Sequence, residues 1–492
     1  MKHASKAPGM TGIIIILATA FLIFHTPIAD AKKPFEGMKF VVSLSGSSSK
    51  IALDYIKPVV KKELGIKLQY DMTPPAQVYR KHMMEFSTKA SSAQLIRSTM
   101  MFLADYAMHV EPLAPLVKKY NINLHVDDIV PQFRNLSTKW AGIWYYMPMD
   151  GDQRQMYYNR IAFEREENQI AFKKKYGYDL RPPQTFEEYA DMAEFFNERD
   201  WDGDGEIEYG TAEHLKRGRF AFWAFKARFA AYGGVYFDQK MNPLINTPNG
   251  LYALKNLIRT QPYMAPGAYN FGSPEVKDAI ARGNVALGLS WSSGGRVVMD
   301  PKASDMVGKV WVEMTPGGKL KDGTINRRPG VGGWFFAIPK YITDKQKEAA
   351  IKVMEIYYRP ELRDRRFLED ACAEDPWAIS FLQSKRFQNM WPDYPEYSKQ
   401  YAKICHETLK YGMPDMQIRG THEYMIAAED EILAALTGKK SPEKALSDME
   451  AAWNKITDRL GRGDQIKQWR NQLSRLSESG IRYIPFDQFV VR

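Results

Sequence analysis

The sequence predicts an α/β protein with a helical C-terminal part, and three observations carry that expectation. Short apolar runs of strand character alternate with stretches of helical spacing from Lys39 to Tyr357. From Arg359 to Leu460 the spacing is mostly helical. No internal repeat or low-complexity tract interrupts the pattern, which excludes a solenoid or a propeller.

The elements follow in order. Lys39 to Leu44 is an apolar run ended by Ser45-Gly46-Ser47-Ser48-Ser49, Ile51 to Leu64 has helical spacing, and Ile66 to Tyr70 alternates again. The hydroxyls and glycine after this first strand fit the ligand-lining edge of an α/β sheet and equally a solvated turn that caps a helix. Leu113 to Leu116 and Ile122 to Val130 read as helix and connector. Two aromatic, strand-like runs, one from Trp140 and one from Met156 to Asn159, flank a turn with Pro148, Asp150 and Asp152. Pro182 and Pro183 stop the chain before Thr185, the N-cap of a helix to about Asn197, and Glu188 three residues on completes a capping box. Helices are expected at Asn249 to Arg259, Pro274 to Arg282 and Thr343 to Tyr357, and strands at Val285 to Trp291, Val310 to Met314 and Trp334 to Ile338.

Composition narrows the function classes. A chain of 492 residues, 45% hydrophobic and 26% charged, has length for two or more cores and is neither disordered nor a polytopic membrane protein. Its net charge of +10 is dispersed without a basic block, so no nucleic-acid partner is expected. Two cysteines, Cys372 and Cys405, exclude a disulfide-dense scaffold and a Cys-rich metal site from one chain.

The N-terminus reads as an export signal. Lys2, His3 and Lys6 precede an apolar run from Met10 to Phe24, and Ala29-Asp30-Ala31 is a small-residue cleavage site. The run falls short of the roughly 20 residues that span a bilayer, so residues 1–31 are expected to be removed after Ala31, leaving the mature chain in a periplasm. Cys372 and Cys405 can pair there if their Cα atoms come within reach.

One motif points to a metal. Asp200, Asp202 and Asp204 stand at loop positions 1, 3 and 5, Gly205 at 6, Glu206 at 7 and Glu208 at 9, the front of an EF-hand-type Ca²⁺ loop. Thr211 occupies position 12 in place of the closing Glu, so another carboxylate such as Glu213 must close the site. A structural Ca²⁺ is expected; an acidic turn is the alternative.

Catalytic signatures are missing: no nucleophile elbow, no His-Glu-x-x-His, no phosphate-binding loop and no dinucleotide fingerprint. His406 and His422 have no partner at ligand spacing and read as surface or core residues. Asp150 and Asp152 are two apart, which in an extended strand places them on opposite faces with one turned inward. Aromatic chemistry is abundant instead. Trp291, at the end of an apolar run, and Trp334, after Gly330-Val331-Gly332-Gly333, sit at strand-to-loop junctions where indole faces stack on sugars.

The order of motifs resembles one family over about residues 40–456: the extracellular solute-binding proteins of ABC importers, in their maltose-binding-protein-like sugar-binding branch. The matching segments are Leu103-Ala104-Asp105-Tyr106 with Glu111 to Leu116, Trp144 to Asp152 with Met156 to Arg160, Pro182 to Tyr189, Ala231 to Asp238 with Asn246-Thr247-Pro248, Ala281 to Trp291, Gly332 to Pro339 with Arg359-Pro360-Glu361, and Ala435 to Leu446 before Trp453. The resemblance implies two α/β lobes joined by three hinge crossings. The first lobe would take residues 37–147 and 313–370, the second 149–312 and 371–460, leaving 461–492 as a C-terminal extension. It implies a ligand site of Asp152 near the hinge, the stacking Trp291, the Gly333–Trp334 loop and a hydroxyl-binding Asp105.

The expected function is capture of a sugar, oligosaccharide or polyol between the lobes by a monomer that delivers it to an ABC permease. An acidic ligand stays open because Arg154 and Arg296 lie near the site. The alternative is an exported Ca²⁺-dependent carbohydrate-active enzyme using Asp150 or Asp152.

Overall fold

Two sheets organise the chain in the computed structural model, which describes residues 33–45, 47–369 and 374–491. The expected leader with its cleavage site, and Cys372 with its possible pairing, lie outside the described residues. Cys405 is a buried thiol that receives an N–H of Gln155 at 3.3 Å.

Phe40, Val42 and Leu44 put the apolar face of the first strand into the core. This strand, Lys39–Leu44, pairs in parallel with Lys67–Met72 and Leu95–Thr99, and the helices Ser47–Leu64 and Val78–Ser87 make the crossovers. Trp334–Ala337 enters antiparallel beside Leu95–Thr99, and Met147–Asp150 closes the five-stranded sheet as its edge. Pro148 therefore belongs to a strand and not to the expected turn. An edge strand has a free side, so it tolerates a residue without an N–H.

The second sheet has the order Val310–Met314, Arg154–Asn159, Val285–Trp291, Tyr209–Ala212. Arg154–Asn159 is antiparallel to both of its neighbours, and Tyr209–Ala212 runs parallel to Val285–Trp291. Phe186–Phe196 starts on Thr185, whose hydroxyl accepts the Glu188 N–H at 3.3 Å. The expected capping box is only half formed: the Glu188 carboxylate accepts the Gln184 N–H at 2.8 Å and forks onto Arg181. The helix Phe220–Ala231 has no amphipathic period to betray it, because nearly every residue in it is buried.

Between the sheets, three segments lie side by side. Asp150 to Arg154 runs in the middle. On one side the Gly332 N–H donates to the Asp152 carbonyl at 2.9 Å and the Arg154 N–H to the Gly330 carbonyl at 2.9 Å. On the other the Gly151 N–H donates to the Asp375 carbonyl at 3.0 Å and the Gln153 amide to the Pro376 carbonyl at 3.0 Å.

After this third segment, residues 374–382 pack on the first sheet's side: Ala378 bridges Ile129, and the Ser380 N–H reaches Asp128 at 2.8 Å. The resemblance had assigned residues 371–460 to the second lobe. Burial of Trp377 against Tyr358 and Phe367 holds the stretch where it is. The helix Pro395–Tyr411 then lies on Val310–Met314, Thr421–Leu436 packs on Phe220–Ala231, and Pro442–Arg459 packs on Thr421–Leu436 and on the helix Pro248–Thr260.

The C-terminal extension ties these parts together. Its helix Arg462–Glu478 buries Trp469, whose indole N–H donates to the Phe237 carbonyl at 3.1 Å, while Arg475 crosses to the carbonyls of Asn135 and Lys139 at 2.9 and 3.1 Å. The tail returns to the second lobe, where the Ile484 N–H meets the Gly233 carbonyl at 2.9 Å. No helix among the described residues is long and apolar enough to cross a membrane.

Candidate functional site

The crossing from Asp150 to Arg154 is the centre of the site because both lobes end on it. Trp334 is in register with Asp150 in the first sheet, and Trp291 with Arg154 in the second, so two indoles bracket the crossing from opposite lobes. Gly333, with φ at +119°, leads into Trp334, and a Cβ there would stand 2.0 Å from the Asp150 carbonyl oxygen. Only glycine lets the two backbones run this close.

At the crossing, Asp150, Asp152 and Asp375 bring carboxylate oxygens within 4.8 Å of one another. Asp150 and Asp152 were expected on opposite faces. They converge because the strand ends at Asp150 and Gly151 turns the chain, so the alternation of an extended strand no longer applies. Asp150 accepts the Asp375 N–H at 2.8 Å. Burial, and then the neighbouring carboxylates, raises Asp150 well above the usual range; Asp152 is raised by burial and by Asp375. Arg97, Lys277 and Arg296 supply the opposing charge, with Arg296 3.7 Å from Asp375 and the Lys277 ammonium donating to Ser293 at 2.6 Å. Arg219 also acts on Asp152.

The first lobe's wall is Ser45, Arg97 and Trp334. The Arg97 guanidinium lies 3.8 Å from the Trp334 ring centroid and donates to the Ser45 hydroxyl at 2.7 Å. Ser45, which follows the first strand directly, thus lies at the cleft wall. Asp105 sits further along the seam. Its two oxygens accept the Gly420 N–H at 3.0 Å and the Tyr79 hydroxyl at 3.1 Å, so this carboxylate joins the first lobe to the start of Thr421–Leu436.

The second lobe's wall is aromatic and cationic. Trp291 is stacked on His214 at 5.9 Å and meets Trp223 edge-on at 5.3 Å, with the Arg154 guanidinium 5.8 Å from its ring. Trp223 donates its indole N–H to Asp415 at 3.1 Å, and Lys226 pairs with the same carboxylate. Arg219 reaches from Trp223 to Phe102 of the first lobe, at 5.3 and 5.9 Å from the two rings. Sequence reasoning missed Arg97, His214, Arg219 and Trp223. A usable signal was present for Arg154 alone, a charge on the strand face that Met156 buries.

The acidic loop is a separate feature that follows the C-terminal end of Phe186–Phe196. Asp200 accepts the N–H groups of Gly203 and Gly205 at 2.6 and 3.2 Å, which coils the loop about its own carboxylates. Those of Asp200, Asp202, Asp204 and Glu208 converge within 4.8 Å. Glu206, expected with them, keeps its side chain outside this group. Glu213 does not close the loop, because it is buried in a two-pronged pair with Arg228 at 2.6 and 2.9 Å. Position 12 falls in the strand Tyr209–Ala212, where the Thr211 hydroxyl bonds Tyr189. Burial and the three aspartates push Glu208 up to about 7. Four hard oxygen donors so close suit Ca²⁺, with Arg165 against Gly203 the cation near the loop.

Comparisons with known proteins bear on this architecture. A probable amino-acid ABC transporter periplasmic-binding protein of Sinorhizobium fredii, y4oP, is 20% identical over 470 residues, covering 94% of this chain and 99% of its own. An ABC transporter solute-binding protein from Agrobacterium radiobacter K84 in complex with ribitol superposes with a TM-score of 0.72 at 21% identity, over 86% of this chain and all of its own. Maltose-bound MalE3 of T. maritima gives 0.70 at 16% identity over 85% and 100%. A solute-binding protein from Agrobacterium vitis S4 with bound D-mannitol gives 0.67 at 17% over 86% and 99%. These likenesses establish the two-lobe binding-protein fold. The family model for bacterial extracellular solute-binding proteins matches residues 47–363, well over half the chain, and this chain belongs to that family.

Proposed function

We propose that this protein is the exported, substrate-binding component of an ABC importer: a monomer that captures a sugar, oligosaccharide or polyol between its lobes and hands it to the transmembrane permease. The observation that carries this reading is the bracketing of the Asp150–Arg154 crossing by Trp334 from one lobe and Trp291 from the other. Indole faces stack on the C–H surfaces of a sugar ring, and Asp152 at the crossing accepts its hydroxyls. Ribitol, maltose and D-mannitol in the similar structures agree with a polyhydroxylated cargo.

Each lobe supplies part of the site, so contacts are complete only when the lobes meet. A ligand shifts the open-closed equilibrium by its preference for the closed form, and the closed form is what a permease would recognise. The crossing segments are short and cross-bonded, which suits a bend at Gly151 and at Gly333. Ca²⁺ bound by Asp200, Asp202, Asp204 and Glu208 acts structurally and shares no ligand with the Asp150–Asp152–Asp375 cluster. The protein does no chemistry on its cargo. The leader through Ala31 would deliver it to the periplasm.

Small-angle scattering of the mature protein, with and without ribitol, D-mannitol or maltose, tests the mechanism alongside thermal-shift titration. The expected result is a raised melting temperature and a smaller radius of gyration with at least one of these ligands, and no product after hours of incubation. Product release would establish the carbohydrate-active enzyme instead. A ligand that binds tightly but leaves the scattering unchanged would remove hinge closure.

A further inference from the structure

The second lobe's wall holds a buried cation with no hydrogen-bonded counter-group, Glu213 acting on it only through space. Arg154 is 1% exposed, and its Nε, Nη1 and Nη2 have no hydrogen-bond partner among the described residues. Its backbone is fixed on both sides: the N–H donates to the Gly330 carbonyl at 2.9 Å and the carbonyl accepts the Thr315 hydroxyl at 2.9 Å. The guanidinium lies 5.8 Å from the Trp291 ring centroid.

The nearby carboxylates are already used. Both oxygens of Glu213 are taken by Arg228, and Asp415 is shared by Lys226 and Trp223. Glu429 accepts the backbone N–H groups of Gly218 and Ala221 at 2.7 and 3.2 Å. Arg219, 8% exposed, adds a second guanidinium over Trp223 and Phe102, its Nε also unpartnered and an Nη facing the Met101 sulfur at 3.6 Å, with Asp415, Glu429 and Asp152 acting on it through space. A buried, unpaired charge is costly, and native proteins retain one where something else completes it.

A second orphan stands next to it. His214 is fully buried against Trp291, and neither ring nitrogen has a partner among the described residues. Burial holds its ring neutral, so one nitrogen donates and the other accepts, the pairing a sugar hydroxyl offers.

We infer that the cleft selects an acidic sugar or polyol, its carboxylate or phosphate held by the fork of Arg154, its ring stacked on Trp291 and a hydroxyl bonded to His214. This rests on the proposed function and narrows its cargo. A planar guanidinium binds such an anion through two parallel N–H bonds, which a neutral sugar cannot reproduce.

The test uses the mature protein freed of carried-over ligand by unfolding and refolding. D-glucuronate is titrated against D-glucose, D-galacturonate against D-galactose, and glucose 6-phosphate against both acids, by calorimetry at low and at high salt. The acidic member should bind at least tenfold tighter than its neutral partner at low salt, with the advantage shrinking at high salt. The uronate and phosphate arms tell which anion is held. Arg154→Gln should erase the preference while Arg154→Lys keeps part of it; if neither variant folds, the wild-type pairs decide alone. Neutral sugars, ribitol or D-mannitol binding as well as or better than the acids would overturn the inference and leave the importer reading standing. A protein that ignores every sugar and polyol but binds an L-amino acid would sink both.

Discussion

Two adjacent glycines at the hinge make opposite predictions. At Gly333 the backbone φ of +119° is in the region that side chains avoid, and an added Cβ falls 2.0 Å from the Asp150 carbonyl oxygen and 3.0 Å from its carbon. Those are backbone atoms of the hinge crossing, which cannot swing away as a flexible side chain would. Left-handed backbone costs about 1–2 kcal/mol for an L-residue, and forcing the crossing back adds about 1–3 kcal/mol of overpacking. Gly333→Ala should therefore destabilise by about 3 kcal/mol. At Gly332 nothing lies within 4 Å of the added Cβ and the φ is not left-handed. Gly332→Ala should stay within about 0.5 kcal/mol of the wild type, a small gain included because the unfolded chain loses freedom. Urea denaturation followed by tryptophan fluorescence reads both, compared through midpoints at unchanged slope. Ligand titration of the same pair should show weakened affinity for Gly333→Ala alone, because displacing the crossing moves Asp152 against Trp334. Equal midpoints for the two variants, or a Gly333→Ala protein as stable as the wild type, would refute the close approach on which the site is built.

Further outcomes follow from other parts of the molecule. Removing Ca²⁺ with EDTA should lower the melting temperature, since binding to the native state at roughly 100 times Kd is worth about 2.7 kcal/mol; Asp202→Ala should abolish the response, and an unmoved curve would make the acidic loop a plain turn. Trp291→Ala should weaken cargo binding by roughly tenfold to a hundredfold and, because the ring packs on His214 and Trp223, cost about 3 kcal/mol in stability; a folded variant with unchanged affinity would remove this indole from the site. His82 is fully buried between Ser43 and Tyr106, and burial lowers it from 6.5 to about 4. The unfolded chain takes up that proton first, so the stability is intact above about pH 6.5 and about 3 kcal/mol of it is lost as pH falls toward 4. A His82→Gln protein should show a shallower acid decline, and an identical pH profile for both would contradict the assignment.

The sequence by itself determined the local and the repetitive. Lys39–Leu44, Val285–Trp291 and Val310–Met314 stand where their apolar patterns put them, because a strand buried on one or both faces must present that pattern whatever surrounds it. The Asp200–Glu208 loop was legible for a similar reason: its carboxylates converge through turns made within a few residues, so spacing alone carries the geometry. The ordered motifs also placed Trp291, Trp334 and Asp152 at one hinge. What the tertiary structure alone decided is everything that depends on partners far apart in the chain. Asp150, Asp152 and Asp375 meet because Gly151 ends a strand beside a segment more than two hundred residues away. Glu213 was free on paper to close a metal loop and is instead spent on Arg228. The C-terminal extension, assigned to neither lobe from the sequence, ties both through Arg475 and Ile484. Arg154 could be read as one charge among many until the fold buried it without a hydrogen-bond partner and gave Glu213 to Arg228. Whether a buried charge finds a partner is set by packing, not by its neighbours in sequence.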